Sequence, residues 1–171
     1  GKTFEAEEML TGVKACLKVN LPPNSTEEAK QLEELLQREA MIMARLTHYS
    51  LPAYRCFLKT TAGEYVLAMQ FVEGKTLDKI IEKHKAIDPQ DVSWITQRLL
   101  NGANYLHHQG TIHGDIKPSN VMVQPWIHNA LLIDYGLSSF RPTSESTPFG
   151  YSPVFVAPET REGKAPTPES D

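Results

Sequence analysis

The chain has 171 residues, 40% hydrophobic and 22% charged, a globular composition of single-domain size. A formal net charge of −4 gives no reason to expect nucleic acid or an anionic membrane as the main partner. No apolar run approaches the ~20 residues that span a bilayer, and the only cysteines, Cys16 and Cys56, form neither a CxxC pair nor a Cys/His zinc cluster.

Residues 13–19, Val-Lys-Ala-Cys-Leu-Lys-Val, alternate as a strand does, and Leu21-Pro22-Pro23-Asn24 breaks it. Ser25 with Glu28 is a capping box that starts a helix, continued by Leu32, Leu35, Leu36, Met43 and Leu46 at helical spacing. Two strands are expected at roughly 53–60 and 64–70, joined by Thr61-Ala62-Gly63. Cys16 and Cys56 sit in these apolar runs and read as buried thiols. Asp88-Pro89-Gln90-Asp91 combines an N-cap, a first-turn proline and an acid that complements the helix dipole. The helix it starts has a stripe of Val92, Ile95, Leu99, Ala103 and Leu106, and Gly110 ends it. Short apolar strands follow near 120–123 and 130–133, and residues 137–153, rich in Ser, Thr and Pro, read as a long exposed loop. The natural boundary lies around Glu73-Gly74, between a strand-rich and a helix-rich half.

Four features need a chemical explanation. Glu39 falls on the apolar stripe of its helix, where a carboxylate costs several kcal/mol unless it is paired. Either Lys18 on the preceding strand supplies the cation, or the helix tilts to leave Glu39 in water. The run His113-Gly114-Asp115-Ile116-Lys117-Pro118-Ser119-Asn120 packs an acid, a base and an amide into eight residues. Carboxylate and amide oxygens suit a hard cation such as magnesium, and an acid beside a lysine suits proton acceptance in phosphoryl transfer. Asp134-Tyr135-Gly136 ends an apolar strand on a carboxylate, and Ala157-Pro158-Glu159 closes the Ser/Thr-rich loop.

In order and spacing these features resemble the signature set of eukaryotic-type protein kinases, and the resemblance covers essentially the whole chain. Ala15-Cys16-Leu17-Lys18 resembles the Val-Ala-Ile-Lys strand, and Glu39 matches the helix glutamate that pairs with its lysine. Residues 113–120 resemble the catalytic loop, Asp134-Tyr135-Gly136 the Asp-Phe-Gly motif, and Ala157-Pro158-Glu159 the end of the activation segment. The resemblance implies Asp115 as the base that orients the acceptor hydroxyl and Lys117 as its partner in Ser/Thr kinases. It makes Lys18 the grip on the ATP phosphates, held by Glu39, and Asn120 and Asp134 the magnesium ligands. Met69 is implied as gatekeeper, with the backbone of Gln70 and Val72 on the adenine edge, Ala15 and Met122 on its faces, and Gly1 as the last glycine of the phosphate-covering loop. Met43, Phe57, His113 and Tyr135 match the stacked regulatory spine. Tyr151-Ser152-Pro153 resembles the segment that follows the phosphosite, and Ser152 with Lys117 favours Ser/Thr over Tyr specificity.

The implied fold class is α+β: a two-lobed protein-kinase-like fold truncated at both ends, with a small antiparallel-sheet N-lobe (1–72, lacking the first strand) and a helical C-lobe (73–171, lacking later helices). Asp171 would open the central C-lobe helix, and a piece cut there is expected to be insoluble or inactive by itself. The implied activity is Mg-dependent transfer of the ATP γ-phosphate to a Ser or Thr hydroxyl of a protein substrate, with a cytoplasmic location, no nucleic acid and no membrane segment in these residues. Gly114 replaces the usual Arg before the catalytic Asp, which makes control by phosphorylation at Thr143, Ser144, Ser146 or Thr147 less expected. The alternatives are an aminoglycoside-type phosphotransferase, which Gly114-Asp115 favours, and a catalytically silent binding module.

Overall fold

The computed structural model describes residues 1–20 and 25–171, and the break expected at Leu21-Pro22-Pro23-Asn24 lies outside the described residues. The chain divides into two compact units, one of residues 1–46 and 52–72, the other of residues 47–51 and 73–171.

The first unit is built on an antiparallel sheet. Strand β1 (Lys2–Glu7) pairs with β2 (Lys14–Val19), facing Thr3 with Lys18 and Ala6 with Ala15. Helix α1 (Thr26–Met43) follows, then β3 (Tyr54–Lys59) and β4 (Tyr65–Gln70), and the sheet order is β1-β2-β4-β3. Ser25 is the N-cap of α1 and its hydroxyl accepts the Glu28 amide at 3.1 Å, as the sequence signature requires. The helix rests on β3 and β4 through Leu36, Ala40, Ile42 and Met43, while Leu35, assigned to the same stripe, is exposed. Val66, Leu67 and Ala68 of β4 are the buried centre of the sheet.

Strand β3 is an edge, and this corrects one expectation. Cys56 is exposed on it and Cys16 on β2 is half-buried, so neither is the core thiol that an apolar run suggested. An edge strand has a neighbour on one side only, and Arg55, Leu58 and Lys59 of β3 are exposed along with Cys56.

The second unit begins with β5 (Lys75–Thr76) and α2 (Leu77–His84), then α3 (Pro89–His108), β6 (Thr111–Ile112), β7 (Val121–Gln124), β8 (Asn129–Leu132) and β9 (Ser139–Phe140). Strands β5, β7 and β8 form one small sheet, while β6 and β9 pair separately. Asp88 caps α3 by accepting the Gln90 amide at 2.8 Å, and Gly110, at φ +74, takes the chain out of it. The buried stripe of α3 is narrower than its apolar pattern: Ile95, Gly102 and Leu106 are buried, but Val92 is exposed. The expected exposed loop at 137–153 is also corrected at its start, because Ser138 and Ser139 are buried where β9 meets β6. Its remainder is largely open, and α4 (Pro158–Arg161) closes it. Among the described residues no helix is long and apolar enough to cross a membrane.

Candidate active site

In the first unit the buried acid of α1 meets the cation of β2. Lys18 Nζ donates to both Glu39 oxygens, at 2.7 and 2.8 Å, with Glu39 only 3% exposed. Position 39 lies on the helix face turned to the sheet, and alternation along β2 puts Lys18 on the matching face. The bidentate contact supplies what burial alone would withhold from the carboxylate. Nearby, burial pushes the Cys16 thiol pKa up, with Lys18 opposing.

The other residues assigned to this unit sit on the same sheet. Ala15 pairs with Gln70, and Met69 stands between Cys16 on β2 and Tyr54 on β3. Gln70 is tied to Ala53 twice, its amide donating to the Ala53 carbonyl at 2.8 Å and its Oε1 accepting the Ala53 amide at 3.2 Å. Gly1 lies against β2, where an added Cβ would stand 2.9 Å from the Val19 carbonyl. Val72 is half-buried just past β4. Met43 is buried, and Phe57 stacks on Tyr65 with ring centroids 5.4 Å apart.

In the second unit the loop after β6 is the polar centre. Asp115, 8% exposed, has its oxygens divided among three donors. Oδ2 receives Lys117 Nζ at 2.7 Å and Asn120 Nδ2 at 2.8 Å, while Oδ1 receives the Ser152 hydroxyl at 2.6 Å. Lys117 also donates to Ser152 Oγ at 2.7 Å, so acid, base and hydroxyl close a triangle. Asn120 spends its amide nitrogen on Asp115, reaching its carbonyl as well at 2.9 Å, which turns the amide oxygen to the opposite side.

Strand β8 delivers Asp134 to the same neighbourhood, because the Ile133 amide donates to the Asn120 carbonyl at 2.9 Å. Asp134 is exposed and left-handed at φ +69, with Oδ1 accepting the Gly136 amide at 3.2 Å. Tyr135 is buried, its ring 5.3 Å from His113, and its hydroxyl finds a partner in the Leu132 carbonyl at 3.3 Å. Met122 lies half-buried on β7 opposite Leu131.

The loop is anchored by residues that sequence reasoning did not assign to the site. The Asp171 carboxylate, 1% exposed, accepts the His113 amide at 2.8 Å, the Gly114 amide at 2.7 Å and a hydrogen bond from His107 Nε2 at 2.9 Å. Ser138 Oγ donates to the His113 carbonyl at 2.8 Å. The signal for Asp171 was its place at the start of an expected helix; Ser138 had none. Gly114 sits at φ +78, where a Cβ would come 2.8 Å from the Leu137 carbonyl, so a glycine relieves both backbone strain and crowding. The His113 pKa is lowered, because burial outweighs the pull of Asp171, Asp134 and Asp115.

The donor set fits a hard divalent ion. Magnesium is held by one or two protein oxygens together with substrate phosphates, and Asn120 and Asp134 offer such oxygens. Among the described residues no group of three or more His, Cys, Asp and Glu side chains is placed to hold a metal.

Comparison with known proteins points to one family. The chain resembles mitogen-activated protein kinase kinase kinase YODA of Arabidopsis thaliana, 29% identical over 140 residues, 80% of the chain and 15% of that protein. It also resembles serine/threonine-protein kinase F of Synechocystis (26% identical, 91% of the chain and 35% of the relative) and serine/threonine-protein kinase ppk25 of Schizosaccharomyces pombe (30% identical, 96% and 38%). The chain thus spans well under half the length of these relatives. The protein kinase domain family matches residues 1–171, every position of the sequence, and the chain belongs to that family.

Proposed function

We propose that the chain carries the catalytic centre of a serine/threonine protein kinase, which moves the γ-phosphate of ATP to a Ser or Thr hydroxyl of a protein. One observation carries this reading: a buried carboxylate, Asp115, is held by Lys117, Asn120 and Ser152, and the Asn120 carbonyl accepts the amide of Ile133, the residue before Asp134. Residues 1–72 act as the N-lobe and 73–171 as the C-lobe portion. Gly1, Ala15, Met69, Gln70, Val72 and Met122 would hold the nucleotide, and Asn120 and Asp134 the metal.

Asp115 orients the acceptor hydroxyl and receives its proton; a carboxylate oxygen already bonded by Ser152 keeps a lone pair for this. Lys117 stands 2.7 Å from Asp115 and offsets charge that develops at the attacking oxygen. Glu39 fixes the Lys18 ammonium, which binds phosphate oxygens. When bound, magnesium neutralises charge on the transferring phosphoryl group. Free thiols and ATP dependence both suit the cytoplasm. Gly114 is accounted for by its backbone conformation, which removes the main reason to prefer an aminoglycoside acceptor.

The test is transfer from radiolabelled ATP with magnesium to a generic protein acceptor and, in parallel, to aminoglycosides. Label is expected on Ser and Thr of the protein only, and Asp134→Asn should lower transfer at least about a hundredfold. Label on aminoglycosides alone, or a fully active Asp134→Asn variant, overturns the proposal.

A further inference from the structure

The turn after β8, residues 134–138, is fastened at both ends to the loop that carries Asp115. Ahead of the turn, the Ile133 amide donates to the Asn120 carbonyl at 2.9 Å. At its far end, the Ser138 hydroxyl donates to the His113 carbonyl at 2.8 Å. The turn also closes on itself, with the Ser138 amide donating to the Tyr135 carbonyl at 3.0 Å and the Gly136 amide to Asp134 Oδ1 at 3.2 Å.

The Ser138 bond takes over where a backbone ladder stops. Strands β6 and β9 pair Thr111 with Phe140 and Ile112 with Ser139, and the same register sets His113 opposite Ser138. The Ser138 amide is used within its own turn, and its side-chain hydroxyl meets the facing carbonyl instead. Both residues are 0% exposed, so water cannot stand in for a missing donor, and a buried carbonyl left unmatched is costly. The two segments also approach closely beside this bond. A Cβ on Gly114 would come 2.8 Å from the Leu137 carbonyl, and the Tyr135 ring lies 5.3 Å from that of His113.

Between the two fastenings stands Asp134, which is exposed and left-handed at φ +69. That conformation is unfavourable for an L-residue other than glycine and persists only where the surroundings over-determine it. The Ile133 amide constrains the chain immediately before Asp134, and the Ser138 hydroxyl constrains it four residues later. With the second constraint gone, the backbone from 134 to 138 is free to relax toward ordinary dihedral angles, and the Asp134 carboxylate turns with it.

We infer that Ser138 is a positioning residue for phosphotransfer: its hydroxyl latches the Asp134 turn onto the Asp115 loop and so sets the direction of the Asp134 carboxylate. Ser138 acts through the backbone on either side of it and touches no reacting group. This role rests on the phosphotransfer reading, in which Asp134 holds the metal, but the latch itself can be measured without metal or transfer.

The experiment compares the purified full-length protein with Ser138→Ala and with Ser138→Cys, a substitution of similar size that donates only weakly. Hydrogen–deuterium exchange is followed first in the absence of metal and nucleotide. The Gly136 and Ser138 amides should exchange about tenfold faster in Ser138→Ala, with Ser138→Cys between it and the wild type, while the amides of α3 keep their rates. Transfer from ATP to a protein acceptor is then measured over a range of magnesium concentrations. Ser138→Ala should need about threefold more magnesium for half-maximal transfer and should lose kcat, leaving the KM for the protein acceptor unchanged. Equal exchange in all three proteins overturns the proposal. So does an acceleration spread evenly over α3 and the turn, which marks a general loss of stability, or a fall in kcat with no change in the magnesium requirement. Local loosening of the turn in a protein whose wild type transfers phosphate to no acceptor upholds the latch and refutes the phosphotransfer reading.

Discussion

Glu39 in the first unit and Asp115 in the second are both buried acids, 3% and 8% exposed, and they are satisfied in different ways. Glu39 is met by a cation that reaches both of its oxygens from a neighbouring strand. Asp115 depends on three donors from its own loop and from a segment 37 residues away. A charge whose two oxygens share one bidentate donor loses that contact in a single step, whereas a charge whose donors come from several residues loses them by degrees. The first arrangement suits a lysine that needs a fixed position. The second suits a carboxylate that must stay ionised while its surroundings change during a reaction.

Removing the bidentate donor of Glu39 is the most damaging way to break the comparison. Lys18→Ala takes the bidentate ammonium from the buried Glu39 carboxylate and should cost about 3–5 kcal/mol of unfolding free energy by urea titration. The double variant Lys18→Met with Glu39→Leu removes both charges and should recover most of that loss. Equal stability of the single and double variants would show that Glu39 is supported without Lys18.

Asp171 tests the network from behind. It accepts two backbone amides and a histidine and carries no reacting group. Asp171→Ala leaves the His113 and Gly114 amides without an acceptor and should cost about 2–3 kcal/mol in thermal or chemical unfolding. Because those amides directly precede Asp115, transfer should slow as well. Asp171→Asn keeps one acceptor oxygen and should lie between the two.

Much of this contrast could be read from the chain. Glu39 was visible because a carboxylate interrupts a run of leucines at helical spacing, and Lys18 because strand alternation turns it to the same side. Both signals are local, within 21 residues. The grouping of Asp115, Lys117 and Asn120 was visible because all three fall within six consecutive residues. What escaped lies in longer-range contacts and in burial. The Ser152 hydroxyl reaches Asp115 across 37 residues of loop, and no periodicity encodes such a closure. Ser138 and Ser139 look like loop residues, yet two-residue strands bury them, and strands that short leave no alternation to detect. Helix α2 carries Leu77, Ile80 and Ile81 at helical spacing but spans only eight residues, too few for a strong pattern. Val92 and Cys56 fit apolar patterns and are still exposed, because a pattern marks a face but not how far the neighbouring elements cover it.

Acid sharpens the comparison within the second unit. Burial holds the His113 pKa below its usual value of about 6.5, so the folded protein refuses a proton that the unfolded chain accepts once the pH falls below that value. The stability that neutral His113 contributes is complete above pH ~6.5 and drains away as the pH drops toward the folded pKa, by at most about 1.4 kcal/mol per pH unit. Burial lowers the His48 pKa in the same direction, so the two losses add. Urea titrations at neutral and mildly acidic pH should show this slope, and His113→Phe should flatten part of it. An unchanged slope in that variant would assign the acid sensitivity elsewhere.

The mildest expected effect is at Ser152, where the network should show its redundancy. Ser152→Ala removes one donor from Asp115 and one acceptor from Lys117, but Lys117 and Asn120 still reach the carboxylate. The loss in stability should be about 1 kcal/mol, a fraction of that for Lys18→Ala, because no charge is left without a partner. Ser152→Thr keeps the hydroxyl and should restore the stability. The catalytic consequence separates the two halves of the network: Asp115 without its Oδ1 partner is freer to rotate, so kcat should fall in the Ala variant while the KM for ATP stays the same, since no residue assigned to the nucleotide has moved. A Ser152→Ala variant that loses as much stability as Lys18→Ala would show that the Asp115 cluster depends on Ser152 as strongly as Glu39 does on Lys18.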